Sequence, residues 1–361
     1  MPDLDHQEKA MRFVHETLPQ RVRFATGESA RAVAEEVEHL GARRVMLIAS
    51  KDEAALAGPI ASLLPVVRRH DEVVMHVPVE IARRARRAAA DCEADILVSV
   101  GGGSTTGLAK AVAMTTGLPI VAVPTTYAGS EATNVWGLTE ESVKRTGADP
   151  KVLPRSIVYD AGLLTGLPTM MAVASGLNAM AHCIDSMWGP RADPLDQVLA
   201  GEGIRRLALG LPRVKQGGPD IGGIEETLYG AYLAAVSFAS AGSGLHHRIC
   251  HVLGGMFDLP HAQTHAVVLP YVLAFNAPNA PEAERRIAEA LDASSATAGL
   301  AALRATLDAP NSLKACGMPE EGITKAAGRI LEAVPANNPT PATEDDIVRL
   351  LKAAWEGSEP S

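Results

Sequence analysis

Over the first 160 residues, short apolar runs alternate with longer amphipathic ones. RRVMLIAS (43–50) predicts a strand, and VVMHVPVE (73–80) predicts another. The basic stretch IARRARRAAADCE follows as a helix. ADILVSVGGGS and LPIVAVPTT then read as buried strands ending in glycine or threonine turns. Continuous apolar strands separated by helices predict a parallel sheet covered on both faces. RVRFATG (21–27) is expected to form a leading strand at an edge. After about Asp160 the pattern changes. Residues 163–361 show alanine-rich helical periodicity broken by GLP, GGPDIGG, APNAP and NNPTPAT. TEDDIVRLLKAAWEG predicts the closing helix, capped by Thr343, with three acids at its positive end. The expectation is an α/β domain over residues 1–160 and an all-helical domain over 161–361, with the active site between them.

Composition narrows the classes. A chain of 361 residues suits two cores rather than one. Aromatic residues make up only 4%, so those cores should be built from Ala, Leu, Val and Ile. A net charge of −9 argues against nucleic acid or an anionic membrane as the general partner. The run RRARR (83–87) reads as a solvated helix face, with a cofactor phosphate as the sharper alternative. Cys92, Cys183, Cys250 and Cys316 lack C-x-x-C spacing and read as reduced, buried thiols. The start MPDLDHQEKAMRF has no apolar signal core, and no apolar run is long enough to span a bilayer. A cytoplasmic protein is expected.

SVGGGSTTGLAKAVA (99–113) places Gly101, Gly102, Gly103 and Ser104 between a strand and a helix. Glycine admits close backbone approach, and a helix N-terminus favours a pyrophosphate. The pattern is not G-x-G-x-x-G, because position 106 is Thr. A second strand ends in PTTYAGSEAT (124–133), which offers Thr125, Thr126 and Tyr127. Two such loops side by side form a crevice at the carboxyl edge of a Rossmann-like sheet, where ligands bind. The first long strand ends Ala49, Ser50, Lys51, with no carboxylate for a ribose 2′-hydroxyl. NADPH is therefore expected to be tolerated alongside NADH, although Asp52 could still reach the ribose.

The segment HHRICHVLGGMFDLPHAQTH (246–265) puts His247 and His251 on one helix face, with His261 ten residues further on. In SGLNAMAHCIDS (175–186), Asn178 and His182 stand four apart. Four convergent imidazoles are costly to bury without a task. Together with the GGGS turn and PTTYAGSEAT, these residues resemble the iron-containing alcohol dehydrogenase family, which shares its fold with dehydroquinate synthase and glycerol dehydrogenase. The likeness runs from about residue 21 to 356. Within the family it is strongest to the maleylacetate reductases, carried by TTYAGSEATNVWGLTE (125–140), VLPRSIVYD (152–160) and the NPTPAT…LLKAAWEG ending.

The resemblance implies a homodimer with a dehydroquinate synthase-like fold. It also places the family's metal ligands, one Asp and three His, at Asn178, His182, His247 and His261, with His251 beside the nicotinamide. This chain departs at Asn178. An amide keeps the oxygen donor but is neutral and a poorer ligand, although three imidazoles can still hold Zn²⁺. Reduction of a plain ketone leaves a basic alkoxide that benefits from a Lewis acid. Hydride addition to a C=C bond conjugated to a ketone leaves a delocalised enolate, for which hydrogen-bond donors suffice. The expected activity is therefore NADH- or NADPH-dependent reduction of maleylacetate to 3-oxoadipate, with no essential metal and with His247 and His251 as donors. Lys144, Arg155 and Arg248 are candidates for the substrate's carboxylates, with His246 as a further donor. Tyr127 and Trp136 could line the pocket. Competing readings are a metal-dependent alcohol or polyol dehydrogenase, a lyase using NAD transiently, and a non-catalytic dinucleotide binder.

Overall fold

The computed structural model of the chain describes residues 11–140, 143–217 and 220–360. Six parallel strands form the main sheet: β1 (Arg21–Phe24), β2 (Val45–Ile48), β3 (Val66–His70), β4 (Ile96–Gly101), β5 (Ile120–Pro124) and β8 (Ser156–Tyr159), in the order β1-β8-β5-β4-β2-β3. The leading strand is at an edge, as expected. Side chains alternate across the sheet with period two. Val45, Leu47, Val98, Val100, Val121 and Val123 pack under α1 (Ser29–His39) and α2 (Ala54–Ser62). Met46, Ile48, Leu97, Ile120 and Ala122 pack under α3 (Val79–Asp91) and α4 (Gly103–Thr116). Burial on both faces explains the unbroken apolar runs of β2 and β5 and that of β4, interrupted only by the buried Ser99.

One expectation for this half is corrected. Residues 73–80 are not a strand: His76 and Val77 have positive φ, and Val79 already begins α3. The strand lies earlier, at β3, whose three central residues are exposed at the other edge of the sheet. An antiparallel hairpin, β6 (Val135–Glu140) and β7 (Val143–Ala148), also stands beside the sheet. In it Trp136 lies opposite Gly147, where any Cβ would collide with the indole. The basic run lies on α3 as a largely solvated face: Arg84 pairs with Glu72, and Arg86 donates to Ala111 O at 2.9 Å.

From Thr169 onward the described residues are helical. The helices are α5 (Thr169–Ser186), α6 (Pro194–Lys215), α7 (Ile221–Ala241), α8 (Leu245–Phe257), α9 (His261–Asn276), α10 (Pro281–Ala290), α11 (Ala296–Thr306), α12 (Gly322–Ala333) and α13 (Glu344–Glu356). Every residue of α5 from Ala172 to Ser186 is buried, so this helix is the axis of the helical half. Thr343 caps α13 in a capping box with Asp346, as its sequence predicts. The four cysteines are free thiols, and no helix among the described residues is long and apolar enough to cross a membrane.

Residues 11–20, the described segment ahead of β1, have no regular structure. His15 Nδ1 lies 2.8 Å from Asp193 Oδ2 at the start of α6. Gln20 Nε2 donates to the carbonyls of Glu131 and Pro154 at 2.9 and 2.8 Å.

Candidate active site

At the carboxyl edge of the sheet, β4 ends at Gly101, with φ +154°, and Gly102 leads into α4. A side chain at Gly101 would be strained and would collide with the carboxylate of Glu53. That carboxylate sits inside the turn. Its Oε1 accepts from Gly102 N–H at 3.0 Å and Thr125 Oγ1 at 3.2 Å. Its Oε2 accepts from Ser50 N–H at 3.2 Å, Ser50 Oγ at 2.9 Å and Thr105 Oγ1 at 3.1 Å. Thr126 lies against Gly102, and Gly103 and Ser104 open α4. The ends of β2, β4 and β5 thus meet around one anion, at the N-terminus of a helix, which is the donor set a dinucleotide's phosphates require. The loops foreseen from the sequence do come together. Tyr127 is the exception: its side chain is 1% exposed, packed in the helical core. Only its backbone, whose N–H donates to Ser175 Oγ at 3.1 Å, remains near the turn.

The second part of the site is an imidazole cluster on α5, α8 and α9. The rings of His182 and His247 stack at 4.8 Å with Phe238 of α7 against both. His265 lies 4.9 Å from His247 and 4.4 Å from His261, centroid to centroid. His246 Nε2 and His265 Nδ1 share a 2.9 Å hydrogen bond. Burial, reinforced by neighbouring imidazoles, holds these rings neutral. The pKa of His182 is pushed down to about 4 and that of His246 to about 3, while His247 and His265 lie well below the usual range. His251 and His261, by contrast, are exposed.

Asp185 organises the cluster. It is fully buried one turn after His182 on α5, and burial raises its carboxyl pKa to about 7. Its Oδ2 accepts from Gly244 N–H at 2.9 Å and His247 N–H at 3.4 Å, so it anchors the N-terminus of α8. The same oxygen meets His247 Nδ1 at 2.7 Å. With Nδ1 turned to Asp185, Nε2 is the ring nitrogen left towards the cluster, without a hydrogen-bond partner. Asp185, His265 and Glu53 were all missed from the sequence. Their signals were present: an acid three residues after His182, a second histidine four after His261, and an acid three after Ser50.

The residues foreseen for substrate carboxylates do not gather. Arg155 precedes β8 at the amino edge of the sheet, its N–H bonded to Ile120 O at the start of β5. The glycine turn is at the opposite ends of the strands, roughly 13–17 Å away at about 3.3 Å per residue, so Arg155 is removed from the site. Arg248 is exposed on α8, three residues before His251 and on a neighbouring part of its surface. Lys144 pairs with Thr139 in the hairpin, and its side chain lies outside the described residues.

Two family profiles match the chain: "Iron-containing alcohol dehydrogenase" over residues 19–161 and "Fe-containing alcohol dehydrogenase family, C-terminal" over residues 172–355. The chain belongs to the iron-containing alcohol dehydrogenase family. Among its relatives, the maleylacetate reductase of Sphingobium indicum is 45% identical over 97% of this chain and 99% of its own length. Maleylacetate reductase 2 of Cupriavidus pinatubonensis is 47% identical over 97% and 98%. The crystal structure of an iron-containing alcohol dehydrogenase from Corynebacterium glutamicum superposes with a TM-score of 0.96 at 59% identity, covering 98% of this chain and 99% of that one. That of the maleylacetate reductase from Agrobacterium tumefaciens gives 0.92 at 40% identity, covering 97% and 100%.

The family name raises the question of iron. Asn178 Oδ1, His182 Nδ1 and His247 Nε2 are buried without a hydrogen-bond partner, as atoms awaiting a ligand would be. The set is nevertheless neutral, and His261 is exposed. Among the described residues, the trios whose ligand atoms all lie within 4.8 Å of one another are His246–Cys250–His265 and His15–Asp193–Asp196. The trio of His182, His247 and His261 is not one of them. The three imidazoles at the family's ligand positions are therefore not gathered to ligand distances here, and no step below is routed through a metal.

Proposed function

We propose that this chain reduces the conjugated C=C bond of maleylacetate to give 3-oxoadipate, with NADH or NADPH as the reductant. The observation that carries the reading is the neutral amide at 178 within a buried cluster of neutral imidazoles. Full-length likeness to several maleylacetate reductases supports it. When bound, the reduced nicotinamide supplies a hydride. The substrate receives it at the alkene carbon β to the ketone, the π pair shifts into an enolate, and a proton at the α-carbon completes 3-oxoadipate. The roles of the side chains follow from their protonation. Asn178, through its side-chain amide, and His251, at the exposed rim, donate to the enolate oxygen. His247, fixed by Asp185, offers Nε2 as a proton acceptor and holds the stack with His182. His251 and His261 stand where a proton can come from solvent, and Arg248 beside His251 suits a substrate carboxylate. A homodimer in the cytoplasm accompanies this reading.

A metal-dependent alcohol dehydrogenase is the second reading, favoured by the three partnerless buried atoms at 178, 182 and 247. One assay separates the two. Purified protein is exhaustively chelated and tested on maleylacetate and on simple aldehydes, following NADH absorbance. Maleylacetate turnover is expected to survive chelation. Loss of activity restored by one metal, or turnover of plain aldehydes only with Fe²⁺ or Zn²⁺, would overturn the proposal.

A further inference from the structure

Glu53 has no role in the chemistry above, yet it makes the densest set of polar contacts in the sheet half. Five donors from three separate strand ends converge on its two oxygens: Ser50 N–H and Oγ, Gly102 N–H, Thr105 Oγ1 and Thr125 Oγ1. Ser50, Gly102 and Thr125 are residues the dinucleotide reading assigns to the cofactor. Each donor can serve Glu53 or a phosphate oxygen. A carboxylate and a diphosphate cannot share one seat, because like charges at contact distance repel strongly. Glu53 is only half-buried, at the N-cap of α2 beside the exposed Lys51 and Asp52. Rotation of its side chain therefore carries it towards water without breaking a packed core.

We infer that Glu53 is an internal stand-in for the cofactor's diphosphate, holding the cradle in the free protein and leaving it when the dinucleotide binds. The inference rests on the dinucleotide reading of this crevice. Its side chain then sets cofactor affinity by competition. It also keeps the glycine turn in its binding shape, since the donors stay aimed at a common point.

The test is equilibrium binding to the full-length protein, wild type against Glu53→Ala and the isosteric, uncharged Glu53→Gln. NADH and NADPH are followed by nicotinamide fluorescence and inorganic pyrophosphate by calorimetry. Both dinucleotides and pyrophosphate are expected to bind Glu53→Ala about tenfold tighter, the equivalent of one charge-assisted hydrogen bond no longer contested. Glu53→Gln should lie between the two, and it carries the test should the alanine variant fold poorly. Unchanged or weaker binding of all three ligands overturns the inference. So does weaker NADH binding with stronger NADPH binding, which would make Glu53 a ribose ligand instead. Tighter pyrophosphate binding with no dinucleotide binding to any variant would uphold the competition while overturning the dinucleotide reading.

Discussion

The glycine cradle and the imidazole cluster are each organised by one carboxylate, and the two carboxylates are held in opposite ways. Glu53 is half-buried, and donors from three strand ends meet it on both oxygens. Asp185 is fully buried, and its Oδ2 fixes both a helix N-terminus and the ring of His247. Around Asp185, Asn178 Oδ1, His182 Nδ1 and His247 Nε2 lack partners. A satisfied, partly exposed carboxylate is replaceable, whereas a buried carboxyl that tethers a helix is committed. The first region is suited to exchange of a ligand and the second to holding reacting groups still.

The comparison can be broken by substitution. His251→Ala removes the exposed donor and is expected to lower kcat on maleylacetate by roughly 10²–10³-fold, as steady-state assays at saturating cofactor would reveal. A loss below threefold would move the donor role elsewhere. Asp185→Asn keeps the shape but exchanges the carboxyl that tethers α8 and His247 for an amide. It is expected to destabilise the fold by roughly 2–3 kcal/mol in urea unfolding, and a neutral result would show that Asp185 is as replaceable as Glu53.

Acid sharpens the contrast further. The four buried imidazoles have folded pKa values below the unfolded 6.5, so their contribution is complete above that value and is lost as pH falls towards about 4 for His182 and about 3 for His246. Asp185, raised to about 7, acts in the opposite sense: its contribution is full below the unfolded 3.8 and fades as pH rises through 7. Four groups outweigh one. Thermal unfolding at pH 5 is expected to come earlier than at pH 7, by the equivalent of about 1–3 kcal/mol. Equal midpoints would mean that the rings are reached by water.

The sequence made the sheet legible where strands are buried on both faces, because β2 and β5 have no polar interruptions and β4 only the small, buried Ser99. It concealed β3, whose VVRRH is exposed at an edge, and suggested a strand at 73–80, where left-handed residues precede Pro78. Within the site, helical spacing revealed the pairs His247–His251 and Asn178–His182. It did not reveal that His251 faces water while His265 is enclosed, because that depends on how α9 lies against α8. Arg155 looked suitable as a cation, but only strand direction places it at the far edge. Glu53 and Asp185 stand three residues after Ser50 and His182, but they matter through long-range contacts with Gly102 and His247 that this spacing alone does not encode.

The stretch ahead of β1 has a mechanical consequence. His15 fastens it to the start of α6, and Gln20 fastens it to loops of the sheet half. Five residues extend at most roughly 17 Å, so the strap works as a short leash between the halves. Separation of these two anchor points is confined to that slack, unless the link between His15 and Asp193 is released first.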